Sequence, residues 1–483
     1  MMRCEMNAAH TTDAEDLRRG ESAVIAHSGA FKKELGLTDL ALTQILFIIG
    51  LTWVGNAAKL GPSHVVFWLL AIALFYVPSA VVVIYLNRLM PLEGGLYQWA
   101  KLGFNEAAGF MVAWTLWLYV IMNTSEAGLI LMANLSYALG PQASWIASNK
   151  WLITLASFLV IALLVFVSTV GLSVGKWVHN AGGIIMLTIF AALIAVPFLN
   201  VAHGDRHEFH PLATAMPVVS LFSLNILGKL GFGALGGFEY VAILAGECRN
   251  PVRTIGRSVV MAAPLIALMF IFGTSSVLAF VDPSHIDLIA PIPQVLSLGF
   301  RPFGIAARVV PVALMLLIVL RIAQASVNFT GLTRLPMVAG WDHLMPQWFT
   351  KLHPRFKTPV NSILLVGGMT LGFGLLGLIG VGNQESFQLL FNAGGIFYAL
   401  TYLVMFAIPI IGLRALRPRP PLWLRIATVS GFLMTLLYVT LSIFPIIDVK
   451  SAFSFTLKIS AVIVGANILG AGIFLFARSR RAQ

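Results

Sequence analysis

Charge is scarce in this sequence. Only 10% of its 483 residues are Asp, Glu, Lys or Arg, against about 25% in an ordinary soluble domain. So little charge cannot keep an apolar chain in water, which argues against a free soluble enzyme or binding domain. Cysteine is scarcer still. Cys4 and Cys248 are the two present, so a disulfide framework and a CxxC metal site are both excluded. The first 36 residues are polar and lack an apolar core followed by a small-residue cleavage site, so no cleaved signal peptide is expected. The run "HGDRHEFH", His203 to His210, carries metal-ligand residue types. It lies in a short loop between apolar runs and reads as a solvated loop, so neither a metal nor a cofactor is expected.

Hydrocarbon is what the chain has in abundance. Hydrophobic residues make up 58%, and apolar runs long enough for a helix to cross ~30 Å of bilayer recur throughout. Twelve occur, from Asp39–Leu60 to Phe453–Phe476. An all-α polytopic membrane protein with 12 transmembrane helices follows. The net charge of +12 suggests a nucleic-acid partner until its distribution is seen. Lys and Arg number 22 on the side of the two termini, 7 on the other side and 2 within spans, the full 31. That asymmetry sets topology. It implies a multi-pass protein of the plasma (inner) membrane with both termini cytoplasmic and no nucleic acid bound.

Inside the sixth run, Gly231-Phe-Gly233-Ala-Leu-Gly236 matches G-x-G-x-x-G. A dinucleotide turn needs a strand before it and a soluble βαβ unit around it; here apolar residues flank it on both sides. Two readings remain. Gly233 and Gly237 form GxxxG, which lets helices approach closely, or the glycines weaken the helix so that it unwinds. The first run carries its own interruption, "IIGLTWVGNAAKLGP", with Gly50, Gly55 and Gly61-Pro62. Interrupted runs are thus numbers one and six, and the longest are three and eight, at about 33 and 35 residues. Both coincidences have an offset of five, the mark of a five-plus-five inverted repeat whose discontinuous helices meet near the midplane. The expected order is a cytoplasmic tail 1–36, a first repeat 37–200 and an exterior loop 201–217. A second repeat 218–413, two extra C-terminal helices 414–476 and a cytoplasmic end 477–483 follow. Unwinding frees peptide N–H and C=O groups that are costly in lipid, and a small charged solute can satisfy them.

Three stretches resemble the amino acid–polyamine–organocation superfamily of transporters. "FGALGGFEYVAILAGECRNPVRTIGRSV" matches that family's sixth-span pattern at Phe232, Gly237, Phe238, Glu239, Glu247, Asn250, Pro251 and Arg253. "PLEGGLYQWAKLGFNEAAGF" matches the loop before span three, and "NFTGLTRLPMVAGWDHLMPQWFTKLHPRFKTP" the end of span eight, with Arg334 and Asp342 in register. The resemblance runs from about Gly36 to at least Leu413 and implies a LeuT-like architecture of the amino acid permease type. It implies that the backbone of Gly50, Leu51, Thr52, Trp53 and Val54 holds a substrate carboxylate. Phe232, Gly233, Ala234, Leu235, Gly236 and Gly237 would then hold the amine, and Asn328 would face the site. Two departures stand out: Thr52 replaces the motif's middle glycine, and Trp53 replaces a small aliphatic. The lysine that some relatives carry in span five falls near Met186. The loop "GPQASWIASNK" lacks the cysteine that bonds animal relatives to a heavy chain, so no covalent partner of that kind is implied.

Four ionisable residues lie well inside spans: Glu126, Lys229, Glu239 and Arg321. Each must face protein or water. Glu126 is read as pairing with Arg321 or Lys229, or as setting coupling or side-chain charge selection. Glu239 is read as accepting from frayed backbone, with proton sensing as the functional alternative. Trp114, Trp117 and Tyr119 read as packing or interfacial belt, and Thr330 and Thr333 as weak sodium candidates. The function that follows is a secondary active transporter of an amino acid or related amine, working by alternating access, with uniport, exchange and proton or sodium symport all left open. The alternatives are a polyamine transporter of the same fold and a non-transporting solute receptor; no converging nucleophile and base suggests an enzyme. The two cations lean towards an anionic side chain and the two glutamates the other way, so charge alone leaves the substrate open.

Overall fold

The computed structural model describes residue 22 and residues 33–304, 306–377, 383–412, 420–446, 449 and 451–481. Most of the expected tail 1–36, with Cys4, and the last two residues of 477–483 lie outside the described set. Among the described residues the one strand-like pairing is a parallel bridge between Leu35 and Cys248; everything else regular is helical.

The chain opens with α1, Leu37–Ile48, and α2, Trp53–Ala58, and returns through α3, Gly61–Leu89. A short α4, Leu96–Gly103, precedes α5, Glu106–Leu139, α6, Lys150–Val170, and α7, Val174–His203. Then come α8, Leu221–Ala234, α9, Tyr240–Ile243, α10, Pro251–Phe280, and α11, Pro291–Gly299. The last five are α12, Val310–Trp341, α13, Val360–Leu376, α14, Glu385–Ile411, α15, Leu422–Leu441, and α16, Ala452–Arg480. Among the described residues nine of these are long and apolar enough to cross a membrane, and α1, α8 and α13 are shorter apolar helices. The apolar runs of the sequence overlap these nine long and three shorter apolar helices. The helices α4 and α11 were not expected, being too short and too polar for a hydropathy signal.

Capping starts the long helices where the sequence supplies Asn. Asn105 Oδ1 accepts from the Ala108 N–H at 3.0 Å, and Asn149 Oδ1 from the Trp151 N–H at 3.0 Å, satisfying donors that a first turn leaves orphaned. Large apolar side chains face outward, such as Phe166 and Ile468, a surface suited to lipid. Inside, α1 packs on α7 and α10, α12 on α7 and α5, and α14 on α5 and α15. Small residues permit the tightest of these contacts. A Cβ on Gly182 would lie 2.5 Å from that of Ala323 and 2.9 Å from Leu46, so α7, α12 and α1 meet backbone to side chain there.

Both expected interruptions are present, with one shift. In the first, helix lapses over residues 49–52 and resumes at Trp53, so Trp53 and Val54 already belong to α2. In the second, Lys229–Ala234 is helix in a widened π turn, and regular coiling lapses only at residues 236–239. Phe232, Gly233, Ala234 and Leu235 are therefore not unwound, contrary to expectation. A π turn places one more residue in the helical turn, which absorbs the irregularity before the break. Both glycine readings hold at Gly237. Its φ of +136° lies where side chains are disfavoured, and a Cβ there would sit 2.7 Å from Phe47 and 2.8 Å from Ile48 of α1. Gly237→Ala is expected to destabilise the protein by about 2 kcal/mol or more; an unchanged melting temperature in detergent would contradict the contact.

Candidate functional site

A cavity of about 140 Å³ lies between the two interruptions, close to the ~150 Å³ that accepts a benzene-sized molecule. Gly50, Thr52 and Trp53 line it from the first break, and Phe232, Gly233 and Gly236 from the second. Of the remaining expected site residues, Asn328, Glu126 and Arg321 are also on the wall, whereas Leu51, Val54, Ala234, Leu235, Gly237, Lys229 and Glu239 are not.

The breaks leave peptide groups without protein partners. Among the described hydrogen bonds none is made by the N–H of Leu51 or Thr52, and none is accepted by the carbonyl of Leu235 or Gly236. Other freed groups are tied down by side chains. Gln324 of α12 donates through Nε2 to the carbonyls of Ile49 at 2.7 Å and Leu46 at 3.1 Å, holding the end of α1. The Gly237 N–H donates to the Tyr402 hydroxyl at 2.7 Å.

Trp53 explains two of the glycines. A Cβ on Gly50 would lie 2.5 Å from one edge of its indole, and a Cβ on Gly233 2.5 Å from the opposite edge. The indole thus bridges the two broken helices, and it meets Phe391 of α14 with ring centroids 5.0 Å apart. The substitution of Trp for a small residue is accommodated because both facing positions lack side chains. Tyr119 is not belt or packing, as expected, but cavity wall. Its hydroxyl donates to Asn328 Oδ1 at 3.3 Å, and its ring stacks on Tyr398 at 4.5 Å. Tyr438 of α15 also reaches the cavity, so the extra C-terminal pair is not wholly peripheral. Gln324, Tyr398, Tyr402 and Tyr438 escaped the sequence reading because polar residues one turn apart in apolar helices give no local motif.

The four intramembrane charges divide into two pairs. Lys229 points away from the cavity and donates to Asn392 Oδ1 at 2.9 Å, with its ammonium 5.9 Å from the Tyr438 ring centre. The expected Glu126–Lys229 pair does not form, since the ammonium is committed to α14. Glu239 accepts hydrogen bonds from the hydroxyls of Tyr398 and Tyr402 as well as from its own backbone N–H within the second break, so two tyrosines join the expected backbone donor. Tyr402 therefore links the Gly237 N–H to the Glu239 carboxylate. Glu126 and Arg321 are the pair on the cavity wall. No ion pair within 4.0 Å joins them among the described contacts, and Glu126 Oε1 and Arg321 Nε have no hydrogen-bond partner. Of the weak sodium candidates, Thr330 Oγ1 lies 3.1 Å from Ser168 Oγ, and Thr333 Oγ1 donates to the Thr330 carbonyl. No cluster of metal-ligating side chains exists among the described residues.

With this geometry in hand, comparison with known proteins is direct. A family model described as amino acid permease matches residues 35–467. An uncharacterized transporter of Legionella pneumophila is 24% identical over 81% of this chain and 83% of its own length. A probable agmatine/putrescine antiporter of Lactococcus lactis is 22% identical over 83% of this chain and 84% of its own. The crystal structure of MhsT in complex with L-phenylalanine superposes with a TM-score of 0.59 at 15% identity, covering 85% of this chain and 98% of that one; this likeness is one of fold.

A buried ionic cluster ties the segment before α1 to the residues that follow the sixth run. Arg334, at the end of α12, contacts Glu247 and lies 3.9 Å from Glu93. Glu93 Oε2 accepts from the Gly246 N–H at 2.7 Å, and Lys33 donates to the Gly246 carbonyl. The N–H groups of Glu34 and Leu35 donate to the Glu247 carbonyl at 3.0 and 3.1 Å. The segment before α1 is thereby fastened to the end of the sixth run. Burial pushes the Glu93 carboxyl up from 4.5 to about 7, with Arg334, the Gly246 N–H and Lys33 pulling the other way. The folded state therefore holds this proton more tightly than the unfolded chain. The stability Glu93 contributes is complete below 4.5 and lost as pH rises through about 7. Glu93→Gln is expected to flatten the fall in melting temperature between roughly pH 5 and 8. A variant that keeps the wild-type slope would remove this carboxyl from the account.

Proposed function

This chain belongs to the amino acid permease family, and on that premise we propose that its solute is held by the bare peptide groups of the two helix breaks. The protein is a secondary transporter of amino acids or amines, working by alternating access. One observation carries the assignment of the site: both interruptions open onto the same cavity. N–H groups at Leu51 and Thr52 suit a carboxylate, and carbonyls at Leu235 and Gly236 suit an ammonium. Each unpaired buried peptide group costs about 1–3 kcal/mol, which a zwitterion entering the cavity would offset. Trp53 and Phe232 cover its apolar part, and Tyr119 and Asn328 form a polar wall.

In this scheme residues 37–200 and 218–413 are two copies of one unit, and α1, α2, α8 and α9 move against α5 and α12. Lys229 and Glu239, off the cavity, are assigned to coupling the breaks to α14 and not to holding solute. The termini are placed on the cytoplasmic side of the plasma membrane, in keeping with the 22 cationic residues on that face. A proton or sodium gradient supplies the coupling, and the gradient that drives uptake into liposomes identifies the ion. A polyamine substrate is the second reading: the Glu126 carboxylate on the cavity wall suits it, and the Arg321 guanidinium on the same wall opposes it.

The test is uptake of labelled amino acids, agmatine and putrescine by the purified protein in liposomes. Gly233→Ala drives a methyl into the Trp53 indole and is expected to cut uptake by roughly tenfold or more. Adding Trp53→Ala should restore part of it, as coupled neighbours do. Uptake of none of these solutes by the wild-type protein would overturn the assignment; a Gly233→Ala protein with full activity would remove the Trp53 bridge from it.

A further inference from the structure

The cavity has two polar rungs. In the inner rung Tyr119 of α5 meets Asn328 of α12. In the other, Glu126 faces the cavity from α5 and Arg321 from α12. Each step is seven residues, up on one helix and down on its antiparallel neighbour, so the rungs are ~10 Å apart. Glu126 interrupts α5. The helix runs from Glu106 to Ser125 and restarts at Ala127, a third irregularity at the cavity. The carboxylate is 2% exposed, and its Oε1 has no partner, nor has Arg321 Nε. Opposite charges therefore share one wall without touching each other.

A group placed between them must accept from the guanidinium and donate to the carboxylate. A primary amide does both with one fixed dipole: its carbonyl accepts from Arg321 and its NH₂ donates to Glu126. A side-chain carboxylate satisfies Arg321 and is repelled by Glu126. A side-chain ammonium does the reverse, and an alkyl group leaves both charged groups unpaired, which discriminates strongly against it. Resting on the transporter reading above, we propose that the Glu126–Arg321 rung is a side-chain subsite selecting amino acids with a primary amide, L-asparagine or L-glutamine.

The rung sits on two helices packed against each other, so it selects without having to open or close. Competition against labelled solute in liposomes, and thermal shift of the purified full chain, both measure the ranking. The probes are L-asparagine, L-glutamine, L-glutamate, L-lysine, L-leucine and putrescine. The amides are expected to bind about tenfold or more tighter than L-leucine and tighter than either charged amino acid. Glu126→Gln leaves Arg321 unbalanced and should move the preference towards L-glutamate over L-lysine. Arg321→Gln should move it towards L-lysine and putrescine. A wild-type ranking led by L-leucine, a single-charge side chain or putrescine overturns the subsite. So does a ranking that neither substitution alters, which would mean that Glu126 and Arg321 merely neutralise each other. Both failures leave the transporter reading standing, whereas a protein that binds none of the probes overturns the two together.

Discussion

A peptide group in hydrocarbon has to find a partner, and this chain stops being helix at two places in the middle of its apolar length. Everything at the site follows from how those freed groups are handled. Side chains claim some of them: Gln324 takes the carbonyls that end α1, and Tyr402 takes the Gly237 N–H. The rest, at Leu51, Thr52, Leu235 and Gly236, have no protein partner among the described hydrogen bonds, and of these residues Thr52 and Gly236 stand on the cavity wall. Non-helical backbone at this depth is tolerated where it lines a polar space, so the cavity and the breaks require each other.

Glycine serves that arrangement in three ways. Gly237 adopts a backbone conformation other residues resist and lets α1 approach. Gly50 and Gly233 vacate space for the Trp53 indole, which joins the two breaks by filling the gap between them. Gly182 brings α7 against α1 and α12, so the broken segments rest on closely packed neighbours.

Charge within the membrane is divided with equal economy. Lys229 is held by Asn392 and Glu239 by Tyr398 and Tyr402, neither charged residue being on the cavity wall, and Glu126 and Arg321 face into the cavity. Four charges that cancel when counted along the sequence become, in space, a structural pair and a solute-facing pair. Beside the segment before α1, Arg334, Glu247 and Glu93 form a cluster of charges that are buried and paired, an arrangement whose strength depends on keeping every partner.

Hydropathy, loop charge and the spacing of glycines were enough to read the helical membrane architecture and the existence of both interruptions, because lipid imposes those features on composition itself. Gly50, Thr52, Trp53, Phe232, Gly233 and Gly236, which line the cavity, were legible because the break had to be near its glycines, whereas Asn328 was implied only by the family resemblance. The extent of the second break was not legible, since a π turn at Lys229–Ala234 leaves no distinct pattern. Nor were the wall residues Tyr119, Tyr398 and Tyr438, or the side-chain partners of Lys229 and Glu239. Which face of a helix meets which neighbour depends on how the helices are rotated and tilted against one another, and that is settled by packing contacts between residues hundreds of positions apart, to which no local stretch of sequence has access.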